Sequence, residues 1–231
     1  MTAKESLRSP AVEDYAKAIF SLQARAATPV STNALAERLG ITPGSVSAML
    51  RKLDELGLIT HIPYRGVRLT AAGRRLALEV IRHHRLLESF LAESLGMPWD
   101  RVHAEAEVLE HVISEDLEQL IADKLGNPTV DPHGDPIPSV EFVLEEHRTV
   151  SLNELPPGAA GRFVRVSDSD PEMLRYLVEQ GIALGDRLEV AGRQPFDGPV
   201  LVRFGDQELP IGGRLARAMR IELEASQPRR P

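Results

Sequence analysis

The sequence predicts a mainly α-helical protein with a small β domain: a winged helix-turn-helix, a helical middle, then a small β-barrel. Three observations carry this. Helical apolar periodicity dominates residues up to about 125. A short helix, a tight turn and a second short helix have helix-turn-helix spacing, and a two-stranded wing follows them. From Ser151 the texture changes to short apolar runs punctuated by glycine.

Composition narrows the function. The 231 residues include no cysteine, which excludes disulfides, zinc-thiolate sites and thiol catalysis. The opening MTAKESLRSPAVEDY has no apolar stretch of the kind a signal peptide needs. No apolar run approaches the roughly 18 residues of a membrane span. A soluble, cytoplasmic protein without a membrane partner is expected. The net charge of −7 hides a segregation: residues 1–75 carry 11 Lys and Arg against 6 Asp and Glu, whereas residues 76–150 carry 5 against 16. A basic head implies a polyanion partner, and an acidic middle implies cations.

In chain order, Pro10 starts a helix over 10–26 with Val12, Tyr15, Ile19 and Leu22 as its apolar stripe. Asp14 lies off that stripe in the first turn, where an acid complements the helix dipole. Leu35, Ala36 and Leu39 make a short helix that ends at Gly40. A second begins near Thr42 or Pro43 with Val46, Leu50 and Leu53 inside. Small polar side chains at its start can approach base edges, and basic ones can reach phosphates. DNA contacts are therefore expected from Thr42, Ser45, Ser47, Arg51 and Lys52, with Arg65 and Arg68 on the wing. An ordinary helical hairpin is the bland alternative. Leu58 to Thr70 reads as two strands around a basic turn.

A helix over about 71–94 follows, with His84 and Glu88 one turn apart. Gly96 to Asp100 breaks the chain, and one helix is expected over roughly 100–125. On that helix, with His103 at zero, Glu107 falls at about 40°, Glu110 at about −20° and His111 at about 80°. Two imidazoles and two carboxylates on one face suit a divalent transition ion. A solvated acidic face that happens to carry histidines is the competing reading. Leu117, Leu120, Ile121 and Leu125 continue an apolar side wide enough for a helix-pair or dimer interface. Residues 127–138, rich in Pro, Gly and Asp, read as loop. Beyond Ser151, short strands are expected at 163–166, 187–190, 200–204 and 208–211, with one helix from Pro171 to Glu179. The tail from Gln227 is expected to be disordered.

The wing-bearing motif, the His84/Glu88 pair, the stretch VHAEAEVLEHVIS and the small barrel occur in the order of the diphtheria toxin repressor and manganese transport regulator family, which the chain resembles over nearly its whole length. Val12-Glu13-Asp14-Tyr15 resembles the family's entry to its metal site, and Arg82-His83-His84-Arg85-Leu86 its first dimer-domain helix.

The resemblance implies a metal-activated, dimeric repressor of metal-uptake genes in three domains: 1–73 for DNA binding, 74–148 for dimerisation and metal, and 149–226 as an SH3-like, FeoA-like barrel. Its partners would be double-stranded operator DNA and a second copy of the chain. It implies two metal sites per subunit, one of Asp14, Glu107, Glu110 and His111, the other of His84, Glu88 and His103, completed by Asp170 and Glu172 of the barrel. Iron-responsive members carry Met and Cys where Asp14 and Glu107 stand. Charged oxygens at both positions imply Mn²⁺, with Fe²⁺ as the alternative. Short manganese regulators place a second acid one turn after the first. Here that residue is Lys17, so two separate sites are implied. Two rivals remain. A metalloenzyme would use Glu105 or Glu110 as base, but no phosphate loop or nucleophile motif accompanies it. A metal-independent winged-helix regulator would keep its histidines as structural or proton-sensing groups.

Overall fold

A computed structural model describes residues 9–26, 28–145, 148–196 and 198–224. The tail expected to be disordered lies outside these residues. By compactness the chain divides into two units, Met1–Leu87 with Ala106–Thr129 and Ile137–Leu144, and Glu88–Glu105 with Val130–Pro136 and Glu145–Pro231.

In the first unit, α1 spans Pro10–Ala26, α2 Thr32–Leu39 and α3 Pro43–Glu55. Each helix boundary has a local cause. The Ser31 and Thr42 side chains accept from the backbone N–H of Ala34 and Ser45 and so cap α2 and α3. Gly40 closes α2 in the left-handed conformation, at φ 66°. Val12, Tyr15 and Ile19 of α1, Leu35 of α2, and Val46, Leu50 and Leu53 of α3 share one buried cluster, which Ile59 and Val67 of the wing join. The wing strands are β1, Ile59–Ile62, and β2, Gly66–Leu69, antiparallel as expected.

The helix α4, Ala71–Leu95, also matches its expected span. The single helix expected over 100–125 is instead two. α5 covers Trp99–Leu109, and α6 covers Glu115–Lys124. The break has a local origin. Ser114 caps a new helix by accepting from the Leu117 N–H, and Glu115, Asp116 and Glu118 fill its first turn. Glu110 and His111 therefore sit in a turn after α5, not on a helical face.

Within this unit Glu118 anchors α6 to α4. Its carboxylate lies 2.5 Å from Arg82 Nε and 3.0 Å from His83 Nε2, and Arg82 Nη1 donates to the Pro138 carbonyl at 2.7 Å. Burial alone would push the Glu118 carboxyl up. Hydrogen bonds and charge from His83 and Arg82 outweigh that and hold it below its ordinary value near 4.5. A carboxyl depressed in the folded state stabilises above its unfolded value, and that stability fades as pH falls through the folded value. Glu118→Gln is therefore expected to cost about 2–3 kcal/mol at pH 7 and progressively less below pH ~4.5, read as urea midpoints of both proteins across pH. A difference that is constant with pH would show that the ionised carboxylate is not the source.

In the second unit, β3 (Val150–Ser151), β4 (Ala160–Val166), β5 (Arg187–Arg193), β6 (Val200–Phe204), β7 (Gln207–Ile211) and β8 (Met219–Leu223) form one antiparallel sheet in the order β3-β8-β4-β5-β6-β7. α7, Pro171–Glu179, lies between β4 and β5 in sequence, as expected. The short α8, Gly213–Ala218, and β8 were not anticipated. GRLARAMRIEL has no turn residue after Gly213, so nothing in it marks where helix gives way to strand. Phe163, Leu174, Leu177, Leu188, Val202, Met219 and Ile221 pack into the core of this sheet. Shifts in strand register fall between Phe163 and Arg165 and between Val190 and Gly192, where the sheet bends.

The loop Val130–Pro136 belongs to this unit and docks on β4. The Val166 N–H donates to the His133 carbonyl at 2.9 Å. Gly134 has φ +83°, and a Cβ there would lie 2.0 Å from the Val164 carbonyl oxygen, so no other residue fits.

Candidate metal centre

Two clusters of carboxylates and imidazoles emerge, one in each unit. In the first, α1 presents Glu13, Asp14 and Lys17, α4 presents His84, and the end of α5 with its following turn presents Glu107, Glu110 and His111. His111 Nε2 lies 3.1 Å from Asp14 Oδ1 and 3.6 Å from Glu110 Oε1. Asp14, Glu110 and His111 each offer a ligand atom, all within 4.8 Å of one another. Burial pushes the Asp14 carboxyl above its ordinary value; His111 opposes that, while Glu110 and Glu107 add to it. Such crowding of negative charge is relieved by a cation. The donors are the oxygen and imidazole types that bind divalent first-row ions, so the residues fit a metal.

Glu107 and His84 stand on the other side of Glu110. His84 Nδ1 contacts Glu110 Oε2 and lies 3.8 Å from Glu107 Oε1. The sequence placed Glu107 with Asp14 and His84 with Glu88; within this unit His84 is grouped with Glu107 and Glu110. One residue was missed. Glu13 is buried, and its Oε2 lies 2.6 Å from His111 Nδ1. A carboxylate on the far nitrogen orients a ligand imidazole and leaves Nε2 for the metal. Its position beside Asp14 in a helix first turn was the available signal, and it reads equally well as a dipole acid.

The second cluster centres on Glu88, which is fully buried. Its Oε1 is 3.2 Å from His103 Nδ1, and its Oε2 is 3.7 Å from His133 Nδ1. His103 Nδ1 also lies 3.0 Å from Asp168 Oδ2. Hydrogen bonds to Asp168 and Glu88 outweigh burial and raise His103 to about 10. For His133, burial acts downward, but Glu88 and Asp131 raise it to about 9. His133 Nε2 meets the Trp99 carbonyl at 2.7 Å, and the two rings stack at 5.9 Å. His133 and Asp131 were not anticipated, because the loop that carries them has no periodicity to read.

The barrel residues expected to complete this cluster are placed differently. Asp170 caps α7 by accepting from the Glu172 N–H at 3.0 Å and pairs with Arg214 at 2.7 Å. Glu172 is exposed in the first turn of α7. The acid beside His103 is Asp168, two residues earlier than the nearer of the two expected acids. An irregular loop offset of two residues leaves no trace in a sequence pattern.

The expected DNA-contact residues run along α3, from its N-cap Thr42 to Lys52 in its last turn, and onto the wing. Ser45, Ser47 and Arg51 on α3 and Arg65 and Arg68 on the wing are exposed, and Lys52 is half-buried. All three hydroxyls are already engaged: Thr42 Oγ1 accepts from the Ser45 N–H and lies 3.0 Å from Ser45 Oγ, and Ser47 Oγ donates to the Pro43 carbonyl. Tyr64 stands fully exposed at the wing tip with φ 61°.

Comparison with known proteins agrees with this layout. Residues 9–67 match the iron dependent repressor N-terminal DNA binding domain, residues 70–139 the iron dependent repressor metal binding and dimerisation domain, and residues 150–223 the FeoA domain. The iron-dependent repressor IdeR of Mycobacterium tuberculosis is 32% identical over 222 residues, covering 91% of this chain and 96% of that protein. The diphtheria toxin repressor of Corynebacterium diphtheriae is 28% identical over 226 residues, covering 91% and 96%. Among solved structures, a manganese-dependent transcriptional repressor in complex with manganese superposes with a TM-score of 0.87 at 42% identity, covering 92% of this chain and all of that one. The manganese regulator SloR gives a TM-score of 0.76 at 30% identity, covering 92% and 98%.

Proposed function

The chain belongs to the iron-dependent repressor family of metal-dependent transcriptional repressors, and on that premise we propose that Mn²⁺ is its working co-repressor at two sites per subunit. One site is Asp14, Glu107, Glu110 and His111. The other is Glu88 and His103 with Asp168, and His84, one helical turn before Glu88 on α4, is assigned to it by that spacing. The observation that carries the choice of metal is the first donor set. Asp14 and Glu110 supply charged oxygen, His111 supplies imidazole, and none of these donors is sulfur. Oxygen and imidazole sites remain usable by Mn²⁺, whereas sulfur would favour later ions of the row. Fe²⁺ is the second reading, favoured by the iron-dependent relatives.

The protein is proposed to act as a cytoplasmic homodimer on double-stranded operator DNA, organised in three domains, 1–73, 74–148 and 149–226. Val108, Val112, Leu117 and Leu120 are exposed around the turn between α5 and α6, an apolar patch suited to a second copy. A divalent ion at the first site would supply a charge bridge between α1 and the turn after α5. Because α1 shares its buried cluster with α3, that bridge bears on the recognition helix.

The test is operator binding at fixed salt, titrated anaerobically with Mn²⁺, Fe²⁺, Zn²⁺ and Co²⁺. Activation by Mn²⁺ at concentrations where Fe²⁺ does not act supports the reading. Activation by Fe²⁺ alone would make this an iron regulator, and metal-independent binding would remove the co-repressor altogether.

A further inference from the structure

We propose that Lys17 is a tethered cation, holding Glu107 and Glu110 in the metal-free protein and leaving them when a divalent ion enters. The inference rests on the metal reading above and adds a competitor built into the chain. Lys17 Nζ lies 2.7 Å from Glu107 Oε1, 2.9 and 2.8 Å from the two oxygens of Glu110, and 3.2 Å from His84 Nδ1. An ammonium has three protons, and three carboxylate oxygens accept from this one, so its hydrogen-bonding capacity is fully used. The side chain is only 19% exposed, and that of Glu110 is fully buried.

Four consequences follow from this geometry. Glu110 belongs both to the ammonium's contacts and to the group with Asp14 and His111, so one carboxylate serves two cations. The ammonium neutralises charge that would otherwise keep Glu110 from being buried ionised. It also repels a second positive charge at short range and occupies lone pairs an ion would need. Lys17 is on α1, as Asp14 is, so the contact ties α1 to Glu107 and Glu110 before any metal arrives. Lys17 thus sets the metal concentration at which an ion takes over that tie. It is a positioning and threshold residue, not a ligand.

The chain has four lysines, Lys4, Lys17, Lys52 and Lys124, so labelling is simple to map. Reductive methylation of chelator-treated wild-type protein is expected to spare Lys17 relative to Lys124. Saturating Mn²⁺, with its binding followed by calorimetry on the same sample, should raise labelling at Lys17 several-fold. In parallel, Lys17→Met should bind Mn²⁺ roughly tenfold or more tightly than wild type, the worth of removing charge-assisted hydrogen bonds that compete for the ligands. Lys17→Arg should stay near wild type. Unchanged labelling at Lys17 in Mn²⁺-saturated protein, or an affinity of Lys17→Met within about twofold of wild type, overturns the inference. Absence of any calorimetric signal with Mn²⁺ overturns the metal reading itself, and the inference with it.

Discussion

Asp14→Ala is expected to abolish metal activation of DNA binding while leaving the protein folded and still able to bind metal. Asp14 is half exposed and off the apolar stripe of α1, so its loss removes no core packing. Its carboxylate is the α1 member of the group formed with Glu110 and His111. Without it, an ion can remain on Glu110 and His111 but no longer bridges to α1. Only a ligand that binds the two conformations differently shifts their populations. A coupling of the usual size, about 5–150-fold, should therefore fall to about twofold or less. The check is fluorescence anisotropy on a DNA fragment selected with the wild-type protein, with and without Mn²⁺ at one ionic strength. The melting temperature should still rise with Mn²⁺, because the Glu88 cluster is intact. Glu13→Gln should give a milder form of the same defect, roughly 10–100-fold weaker metal binding, since it holds the His111 ring and leaves Asp14 in place. Full metal activation in Asp14→Ala would sink the bridging account.

How much of this was visible beforehand depended on whether the cause was local. α1, α2, α3 and the wing were legible because each boundary is written in one or two residues: Pro10, Ser31, Gly40, Thr42 and the basic turn around Arg65. The end of α5 is equally local, since Ser114 and its three following acids form a clear cap, yet the apolar spacing from Val102 to Leu125 obscured it. The ligand types were legible for the same reason that ionisable side chains stand out in an apolar period. Their grouping was legible in part: Asp14 with Glu110 and His111, and Glu88 with His103, come together as expected. Whether His84 sits by Glu110, whether Asp168 or Asp170 faces His103, and whether Lys17 reaches Glu107 are set by packing between segments many residues apart. Lys17 was visible as a departure from the family pattern, but nothing local distinguishes an ammonium buried among carboxylates from one in solvent. His133 illustrates the limit most clearly. It is fully buried, yet its loop has no repeat, and its place is fixed by Gly134 pressing on β4.

Glu88→Ala should strongly destabilise the metal-free protein, with a loss of about 3–5 kcal/mol. Its carboxylate is fully buried between two imidazoles, 3.2 Å from His103 and 3.7 Å from His133. Both imidazoles are raised well above their ordinary value and are protonated at pH 7. Removing the carboxylate leaves positive charge in a buried place with less to balance it. Asp168 remains beside His103, whereas His133 loses the carboxylate 3.7 Å away that favoured its charged form. The protein must then either pay the desolvation of an uncompensated charge or release the proton, and each route lowers stability. Glu88→Gln separates charge from shape, because it keeps the volume and one hydrogen-bond acceptor; about half the loss is expected. The measurement is urea unfolding in the presence of a chelator at pH 7, followed by the same curves with saturating Mn²⁺. Mn²⁺ should move the wild-type midpoint upward more than that of Glu88→Ala, because only the wild type retains the carboxylate of the second site. Equal shifts in the two proteins would mean that Glu88 is a structural acid within the core and takes no part in holding metal.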